Sequence, residues 1–127
     1  MNIALDSNRY DDLLTGDANV ATILEDADLI YLPFIVICEL RAGFAAGNRQ
    51  VDNERLLRRF LLKEGVAILF PDEQTTHHYA SVYVQLRRQG TPVPTNDMWI
   101  AALALQHDLV LCTRDRHFDH LPQIPRA

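Results

Sequence analysis

Short apolar runs alternate with longer stretches of helical period along this chain. The runs are rich in aliphatic and β-branched residues and are bounded by turn residues, which is typical of buried strands. The longer stretches repeat apolar residues at the spacing of one helix face. The pattern predicts strands at about 2–6, 28–32, 66–70 and 109–112. It predicts helices at about 8–15, 18–25, 34–46, 51–64, 72–89 and 96–107.

Three segments carry more detailed expectations. The runs 27–32 and 66–70 are predicted to be buried strands because they are short and apolar. Asp72, which follows Pro71, is a suitable N-cap for the next helix. The helix at 51–64 is predicted to bury one face, made of Leu56, Leu57, Phe60 and Leu61. Its opposite face is predicted to be a solvated or partner-binding surface that carries Arg55, Arg58 and Arg59.

The alternation of strands and helices predicts an α/β fold with parallel strands joined by right-handed crossovers. A chain of 127 residues with no repeat or linker suits a single core, so we expect one domain over residues 1–127. In open parallel sheets, ligands bind beyond the carboxyl ends of the strands. Functional side chains are therefore expected where the strands end.

Composition and charge restrict the classes of function. The net charge is −5, which argues against binding nucleic acid over the whole surface but allows a local positive rim around an acidic pocket. We see no signal peptide, and no apolar run approaches the ~20 residues that a membrane span requires. Cys38 and Cys112 lie in apolar surroundings, so we expect buried, reduced thiols in a cytoplasmic protein.

Four acidic residues occupy distinctive positions in this pattern. Asp6 ends the first predicted strand, and Asp115 follows the last one. Asp97 opens a predicted helix, and Glu39 interrupts an apolar one. Taken singly, the three aspartates could be helix caps or turn residues. Their positions alone do not decide between these structural roles and a shared site.

Glu39 and the combination of the four acids are more informative. Glu39 is expected near the core boundary, where a carboxylate requires a partner, and a salt bridge to Arg41 or Arg114 is one alternative. Two unit charges ~4 Å apart repel by ~4 kcal/mol at an effective dielectric constant of ~20. Converging carboxylates therefore require a cation, and Mg²⁺ or Mn²⁺ fits an all-oxygen site. This chemistry suggests metal-dependent cleavage of phosphodiesters.

Four segments together resemble a known family: 5–8 (Leu-Asp-Ser-Asn), 38–43 (Cys-Glu-Leu-Arg-Ala-Gly), 94–102 (Pro-Thr-Asn-Asp-Met-Trp-Ile-Ala-Ala) and 113–118 (Thr-Arg-Asp-Arg-His-Phe). They resemble PIN-domain ribonucleases, and most closely the VapC-type toxins of type II toxin–antitoxin systems. The resemblance covers essentially the whole chain, with all four acids in the expected order. It implies a PIN-like three-layer sandwich whose central, mainly parallel sheet has four to five strands flanked by helices.

The resemblance also implies an activity and a set of site residues. The activity is a Mg²⁺-dependent or Mn²⁺-dependent endoribonuclease with one or two ions. Asp6 and Asp97 would bind metal directly, whereas Glu39 and Asp115 would complete the pocket, bind a second ion or hold water. Asp119 is a nearby acid that could take the place of Asp115. The supporting residues implied by the resemblance are Ser7, Asn96 and Thr113.

The resemblance implies protein partners as well as RNA. A cognate antitoxin would occupy or distort the acidic pocket, and the helical hairpin at 34–64 is a reasonable site for antitoxin contact. We expect a homodimer and a toxin–antitoxin hetero-oligomer, and we expect no membrane partner. Four arginines next to the acids in sequence could contact RNA phosphates, with surface ion pairs as the alternative. These arginines are Arg9, Arg41, Arg114 and Arg116.

Other interpretations remain open at this point. The protein could be a PIN nuclease of RNA maturation or decay, or a PIN-like domain that binds without cutting. The chain has no Gly-rich P-loop, which excludes a P-loop nucleotide switch. The chain has no HExxH motif, so its histidines do not form that type of metal site. His117 is close enough in sequence to Asp115 to line the pocket, but we expect a surface or capping role for it.

Overall fold

A computed structural model describes residues 1–127 and contains one four-stranded sheet. The strands are β1 (Asn2–Leu5), β2 (Leu29–Pro33), β3 (Val66–Leu69) and β4 (Val110–Cys112). They lie in the order β3-β2-β1-β4, and every neighbouring pair is parallel. The predicted α/β class and the predicted four-stranded parallel sheet are confirmed.

Six α-helices connect or follow the strands, and all six were predicted from the sequence pattern. Helix α5 begins with the predicted Asp72 cap, whose side chain accepts from the Thr75 backbone N–H in a capping box. A short 3₁₀-helix at Arg116–His120 was not predicted. The α-helices are α1 (Ser7–Leu14), α2 (Ala18–Glu25), α3 (Phe34–Ala46), α4 (Gln50–Leu61), α5 (Glu73–Gln89) and α6 (Thr95–Gln106).

Helix α4 ends at Leu61, earlier than the predicted end at residue 64. The chain must turn there to enter β3, and Gly65 adopts φ +79°, a conformation that favours glycine. A Cβ atom at Gly65 would also lie 3.3 Å from the Asp28 carbonyl oxygen, which is a tight contact. The helical pattern therefore continues in the sequence beyond the point where the backbone leaves the helix.

The centre of the fold is β1, which is covered on both faces. Successive side chains of a strand point to opposite faces, and Ile3, Ala4 and Leu5 are all completely buried. Helices must therefore lie on both sides of the sheet, which gives three layers. Helix α6 is buried along most of its length, from Met98 to Ala104 apart from Trp99. Its first turn is thereby held rigidly at the edge of the sheet where the strands end.

Burial differs from prediction in several places. The segment at 66–70 is not a fully buried strand, since Ala67 is exposed and Phe70 is 66% exposed. The reason is that β3 is an edge strand, with a neighbour on one side only. In α4, Leu57 and Phe60 are buried as predicted, but Leu56 is 39% exposed. Helical spacing places Leu56 at the margin of the apolar face.

The two cysteines have different environments. Cys112 in β4 is buried, as predicted, whereas Cys38 on α3 is exposed, so the prediction for Cys38 was wrong. Its apolar neighbours in sequence point to the other side of the helix. Trp99 contacts Phe34 and Tyr79, with ring centroids 5.8 and 4.9 Å away, and so packs against the fold as expected. None of the helices combines the length and apolarity that a bilayer span requires.

Candidate active site

The carboxyl ends of the neighbouring strands β1 and β4 place two polar side chains next to each other. Asp6 directly follows β1, and Thr113 directly follows β4. The Asp6 backbone N–H donates to the Cys112 carbonyl at 3.0 Å, which continues the sheet pairing up to the site. Asp6 also caps α1, because its Oδ1 accepts from the Ser7 backbone N–H at 2.8 Å. The carboxylate is thus fixed by the sheet on one side and by a helix on the other.

Asp6 is buried, with only 4% of its surface exposed, and its second oxygen also accepts hydrogen bonds. The Thr113 hydroxyl donates to Oδ2 at 2.6 Å, and the Asn8 amide donates to the same oxygen at 3.4 Å. Burial raises the pKa of Asp6, the Thr113 hydrogen bond opposes that shift, and the charge of Asp115 adds to it. Asp6 is therefore a carboxylate that the fold holds in a setting unfavourable to its own charge.

Asp97 approaches the same edge from the first turn of α6. It is 7% exposed, and its Oδ2 lies 2.8 Å from Nδ1 of His117. Burial raises the pKa of Asp97, the Asp115 charge raises it further, and the hydrogen bond with His117 opposes the shift. The helix dipole favours an anion at this position but does not remove the repulsion from the other acids.

Glu39 reaches the site from α3 and lacks a complete set of partners. The Asn96 amide lies 3.5 Å from Oε2, whereas Oε1 is buried and accepts no hydrogen bond. Burial raises the pKa of Glu39, the Asn96 contact opposes this, and the negative charges of Asp6 and Asp97 raise the pKa further. A buried carboxylate oxygen without a donor is costly, and it indicates that a positively charged partner belongs here.

The fourth acid, Asp115, is half-buried and lies at the start of the 3₁₀-helix. Its Oδ1 accepts from the His117 backbone N–H at 2.9 Å, and the His117 ring nitrogen Nδ1 lies 3.0 Å from the same oxygen. One oxygen each of Asp97 and Asp115 and one ring nitrogen of His117 lie within 4.8 Å of one another. The His117 pKa is raised: desolvation works against the shift, and the adjacent Asp97 and Asp115 carboxylates outweigh it.

These residues fit a divalent cation. The pocket gathers the acids Asp6, Glu39, Asp97 and Asp115 at one edge of the sheet, and three of them have raised pKa values. The donors are carboxylate oxygens, which hard ions such as Mg²⁺ and Mn²⁺ prefer. Oε1 of Glu39, which is buried and accepts no hydrogen bond, is an additional oxygen that suits a cation.

The predicted supporting residues lie at the site in different ways. Thr113 bridges two acids, since its hydroxyl donates to Asp6 and accepts from the Asp115 backbone N–H at 3.0 Å. Asn96 contacts Glu39 through its amide, and Ser7 contributes its backbone N–H to Asp6. These contacts orient the carboxylates relative to one another.

Three of the four arginines form the surface ion pairs that were the alternative to RNA contact. Asp12 accepts from Arg9 at 3.2 Å and forms a two-pronged ion pair with Arg114. Arg41 pairs in the same two-pronged way with Glu54. The alternative of a salt bridge from Glu39 to Arg41 or Arg114 is therefore wrong. Arg116 is exposed and makes no ion pair.

Three further residues refine the picture. Asp119 pairs with Arg126, so Asp115 is the acid that lies beside Asp97. Asn8 was not predicted as a site residue, although its position one helical turn from the strand end places its amide beside Asp6 and Thr113. His117 lies at the surface as expected, with its side chain 47% exposed, and its ring also contacts the pocket through Asp97. The unpredicted 3₁₀-helix brings the ring beside Asp97.

Comparison with known proteins places the chain in a family. The PIN domain family model matches residues 3–124. Ribonuclease VapC1 of Haemophilus influenzae strain R2866 is 35% identical over 88 residues, which cover 69% of this chain and 64% of VapC1. The VapC ribonuclease Y4jK of Sinorhizobium fredii is 31% identical over 121 residues, covering 89% of this chain and 86% of Y4jK.

The structural comparison agrees. The solved structure of VapBC-1 from nontypeable Haemophilus influenzae superposes with a TM-score of 0.88 at 27% identity, covering 100% of this chain and 97% of that one. The family model, the sequence relatives and the sheet order with its acidic edge all point the same way. This chain belongs to the PIN-domain family, among proteins of the VapC type.

Proposed function

We propose that this protein is a divalent-metal-dependent endoribonuclease that hydrolyses RNA phosphodiester bonds, acting in the cytoplasm as the toxin of a toxin–antitoxin pair. The observation that carries the proposal is the convergence of Asp6, Asp97 and Glu39, with Oε1 of Glu39 buried and unpartnered. Repulsion among these acids has no structural benefit, so a cation and its chemistry account for it. The single domain over residues 1–127 is part of the same proposal.

In this proposal Asp6 and Asp97 hold the ion, since they are the most buried acids and the most firmly oriented. When bound, Mg²⁺ or Mn²⁺ lowers the pKa of water and stabilises developing negative charge on phosphate oxygens. Glu39 and Asp115 complete the shell of one ion or share a second ion. Alternatively, Glu39 and Asp115 would hold water in the pocket. Thr113, which contacts Asp6 and Asp115, would hold the two acids in a fixed position relative to each other.

Contacts to the RNA backbone require positive groups that are not already paired. Arg116 fits best, because it is exposed, lacks an ion pair and adjoins Asp115 in sequence. Arg9, Arg41 and Arg114 would first have to leave their present carboxylate partners. Phosphate contacts of this kind position a substrate without selecting its sequence.

Partner proteins are proposed by likeness. The VapBC structures that resemble this chain are toxin–antitoxin complexes. We extend this to a cognate antitoxin here, with the hairpin of α3 and α4 as its contact surface and a homodimer as the toxin unit. The outer face of α4 carries Arg55, Arg58 and Arg59 next to exposed Val51 and Leu62, which suits an acidic partner segment with apolar side chains.

The proposal is tested with untagged, antitoxin-free protein and a pool of structured RNAs, with Mg²⁺, with Mn²⁺ and with EDTA. Asp6→Asn and Asp97→Asn should abolish cleavage while the fold is retained. The matched control is Asp26→Asn, an exposed acid before β2 at the opposite edge of the sheet. Cuts that survive EDTA or both substitutions would show that the pocket is not the active site. Metal binding without any cleavage of the pool would favour a binding-only domain.

A further inference from the structure

We propose that His117 is a nitrogen ligand of the metal centre, and that it makes the centre prefer Mn²⁺ or another first-row transition ion over Mg²⁺. The inference rests on the proposed metal site and adds to it, since that site was argued from oxygen ligands alone. The observation behind it is the position of Nδ1, which lies beside carboxylate oxygens of both Asp97 and Asp115.

The distances match a coordination shell. Nδ1 of His117 is 2.8 Å from Oδ2 of Asp97 and 3.0 Å from Oδ1 of Asp115. Neighbouring ligand atoms around an octahedral ion with bonds of ~2.1 Å are ~3.0 Å apart. The nitrogen therefore has the spacing of a ligand adjacent to each of the two oxygens in such a shell, and all three atoms lie within 4.8 Å of one another. Imidazole nitrogen is also a common ligand for first-row transition ions.

The fold holds the imidazole at this position before any ion arrives. The His117 backbone N–H donates to Asp115 Oδ1 at 2.9 Å, which fixes the start of the 3₁₀-helix. The next residue, Phe118, is 1% exposed and anchors that helix in the core. The His117 side chain is 47% exposed, so an ion from solvent can reach it. A ring that is anchored at its backbone and open to solvent suits a ligand.

The alternative is that His117 only neutralises the two acids through a hydrogen bond. The two roles predict opposite effects of removing the ring. Loss of a ligand weakens metal binding, whereas loss of a group that competes with the ion strengthens it. The sign of the change in affinity therefore decides between them.

Ion preference follows from the donor set. Mg²⁺ favours oxygen ligands and retains several waters, whereas affinity for nitrogen rises along the first-row transition series. We expect His117→Ala to lower the affinity for Mn²⁺ by at least ~10- to 100-fold, the loss that follows removal of a hydrogen-bond partner of a metal ligand. Mg²⁺ affinity should change much less, so the ratio of Mn²⁺ to Mg²⁺ affinity should fall by a similar factor.

The direct test is electron paramagnetic resonance of Mn²⁺ bound to the untagged full chain. Pulsed measurements on the wild type should show coupling to a nitrogen nucleus that changes when histidine is labelled with ¹⁵N. The coupling should disappear in His117→Ala and persist in His120→Ala, the control from the same 3₁₀-helix, whose side chain is exposed. Because the isotope experiment uses the wild type, it holds even if His117→Ala fails to fold.

The outcomes separate this inference from the proposed function. Tight Mn²⁺ binding without nitrogen coupling, or stronger Mn²⁺ binding by His117→Ala, would overturn the ligand role and leave the carboxylate site intact. Failure of the wild type to bind Mn²⁺ at all would overturn both. Nitrogen coupling that is lost only in His117→Ala supports the ligand role independently of any RNA cleavage.

Discussion

Replacing Glu39 with glutamine should stabilise the metal-free protein while weakening its response to metal. Glutamine has the same shape as glutamate and a similar helix propensity, so α3 should be unaffected. The substitution removes a charge whose Oε1 is buried without a partner and which faces Asp6 and Asp97. The only hydrogen bond at risk is the 3.5 Å contact with Asn96, which the amide oxygen can retain.

The magnitude follows from the charges. Two unit charges ~7 Å apart repel by ~2 kcal/mol at an effective dielectric constant of ~20. Glu39 faces two such charges but is only half-buried, and solvent screening reduces the sum. We expect a gain of about 1 kcal/mol in the unfolding free energy of Glu39→Gln without metal. For a domain of this size that corresponds to a rise of ~4 °C in Tm.

The assay is thermal unfolding of wild type and variant in EDTA and at increasing Mg²⁺. A ligand that binds only the native state stabilises it by ~2.7 kcal/mol at one hundred times its dissociation constant. The Tm of the wild type should therefore rise when metal is added, and the Tm of Glu39→Gln should rise much less. With metal bound, the wild type should become the more stable of the two. Glu64→Gln, an exposed turn residue without an ion pair, controls for net charge. If the variant is less stable than wild type in EDTA, the Glu39 charge does not destabilise the metal-free protein.

Three further predictions concern the pH dependence of Glu39→Gln, the hydrogen bonds of Thr113 and the packing of Leu57. The stability advantage of Glu39→Gln should depend on pH, because the raised pKa of Glu39 destabilises the folded protein fully above the folded-state pKa and not at all below the ordinary value of 4.5. Urea unfolding in EDTA should therefore show a higher unfolding free energy for the variant near pH 8 and no advantage near pH 4. Thr113→Val should lose about 1–3 kcal/mol of unfolding free energy, because the Asp115 backbone N–H and the Asp6 carboxylate lose their partner; Thr113→Ser should restore most of it in the same assay. Leu57→Ala, at a completely buried position of α4, should lose about 2–4 kcal/mol in chemical denaturation, whereas Leu62→Ala, 86% exposed, should change little.

Much of the fold could be predicted because its signals are local. Each strand is a short apolar run, and parallel strands follow from the helices between them. Asp6 could be placed at the carboxyl edge because it directly ends such a run, and Asp97 because it opens a helix after Pro94. The resemblance then supplied the grouping of the acids, which no local pattern contains.

The features that the sequence did not reveal are the direction of individual side chains and their partners in the folded protein. Cys38 lies in an apolar stretch and Leu56 in an amphipathic helix, but the direction of each side chain is set by packing that the sequence does not show. Arg114 and Arg41 form ion pairs, the stated alternative to RNA contact, but the sequence did not show that Asp12 and Glu54 would be their partners. These pairings arise only when the chain is folded.

His117 is the most instructive case. Nearness to Asp115 suggested that His117 could line the pocket, and its side chain is exposed as expected, but nothing in the sequence signals a five-residue 3₁₀-helix at this point. The backbone cap by Asp115 and the buried Phe118 together turn the ring towards Asp97. The contact is tertiary, since α6 and β4 separate the two residues in sequence.

RNA cleavage should depend on a cation held by Asp6 and Asp97. The most direct measurement is a Mn²⁺ titration in which bound metal, from the loss of the free-ion resonance signal, and the cleavage rate of a susceptible RNA are recorded on the same sample. We expect the rate to rise in proportion to occupancy. Asp6→Asn and Asp97→Asn should lose both metal binding and cleavage, while Asp26→Asn should retain both. Cleavage that proceeds at full rate with the site empty would contradict this dependence.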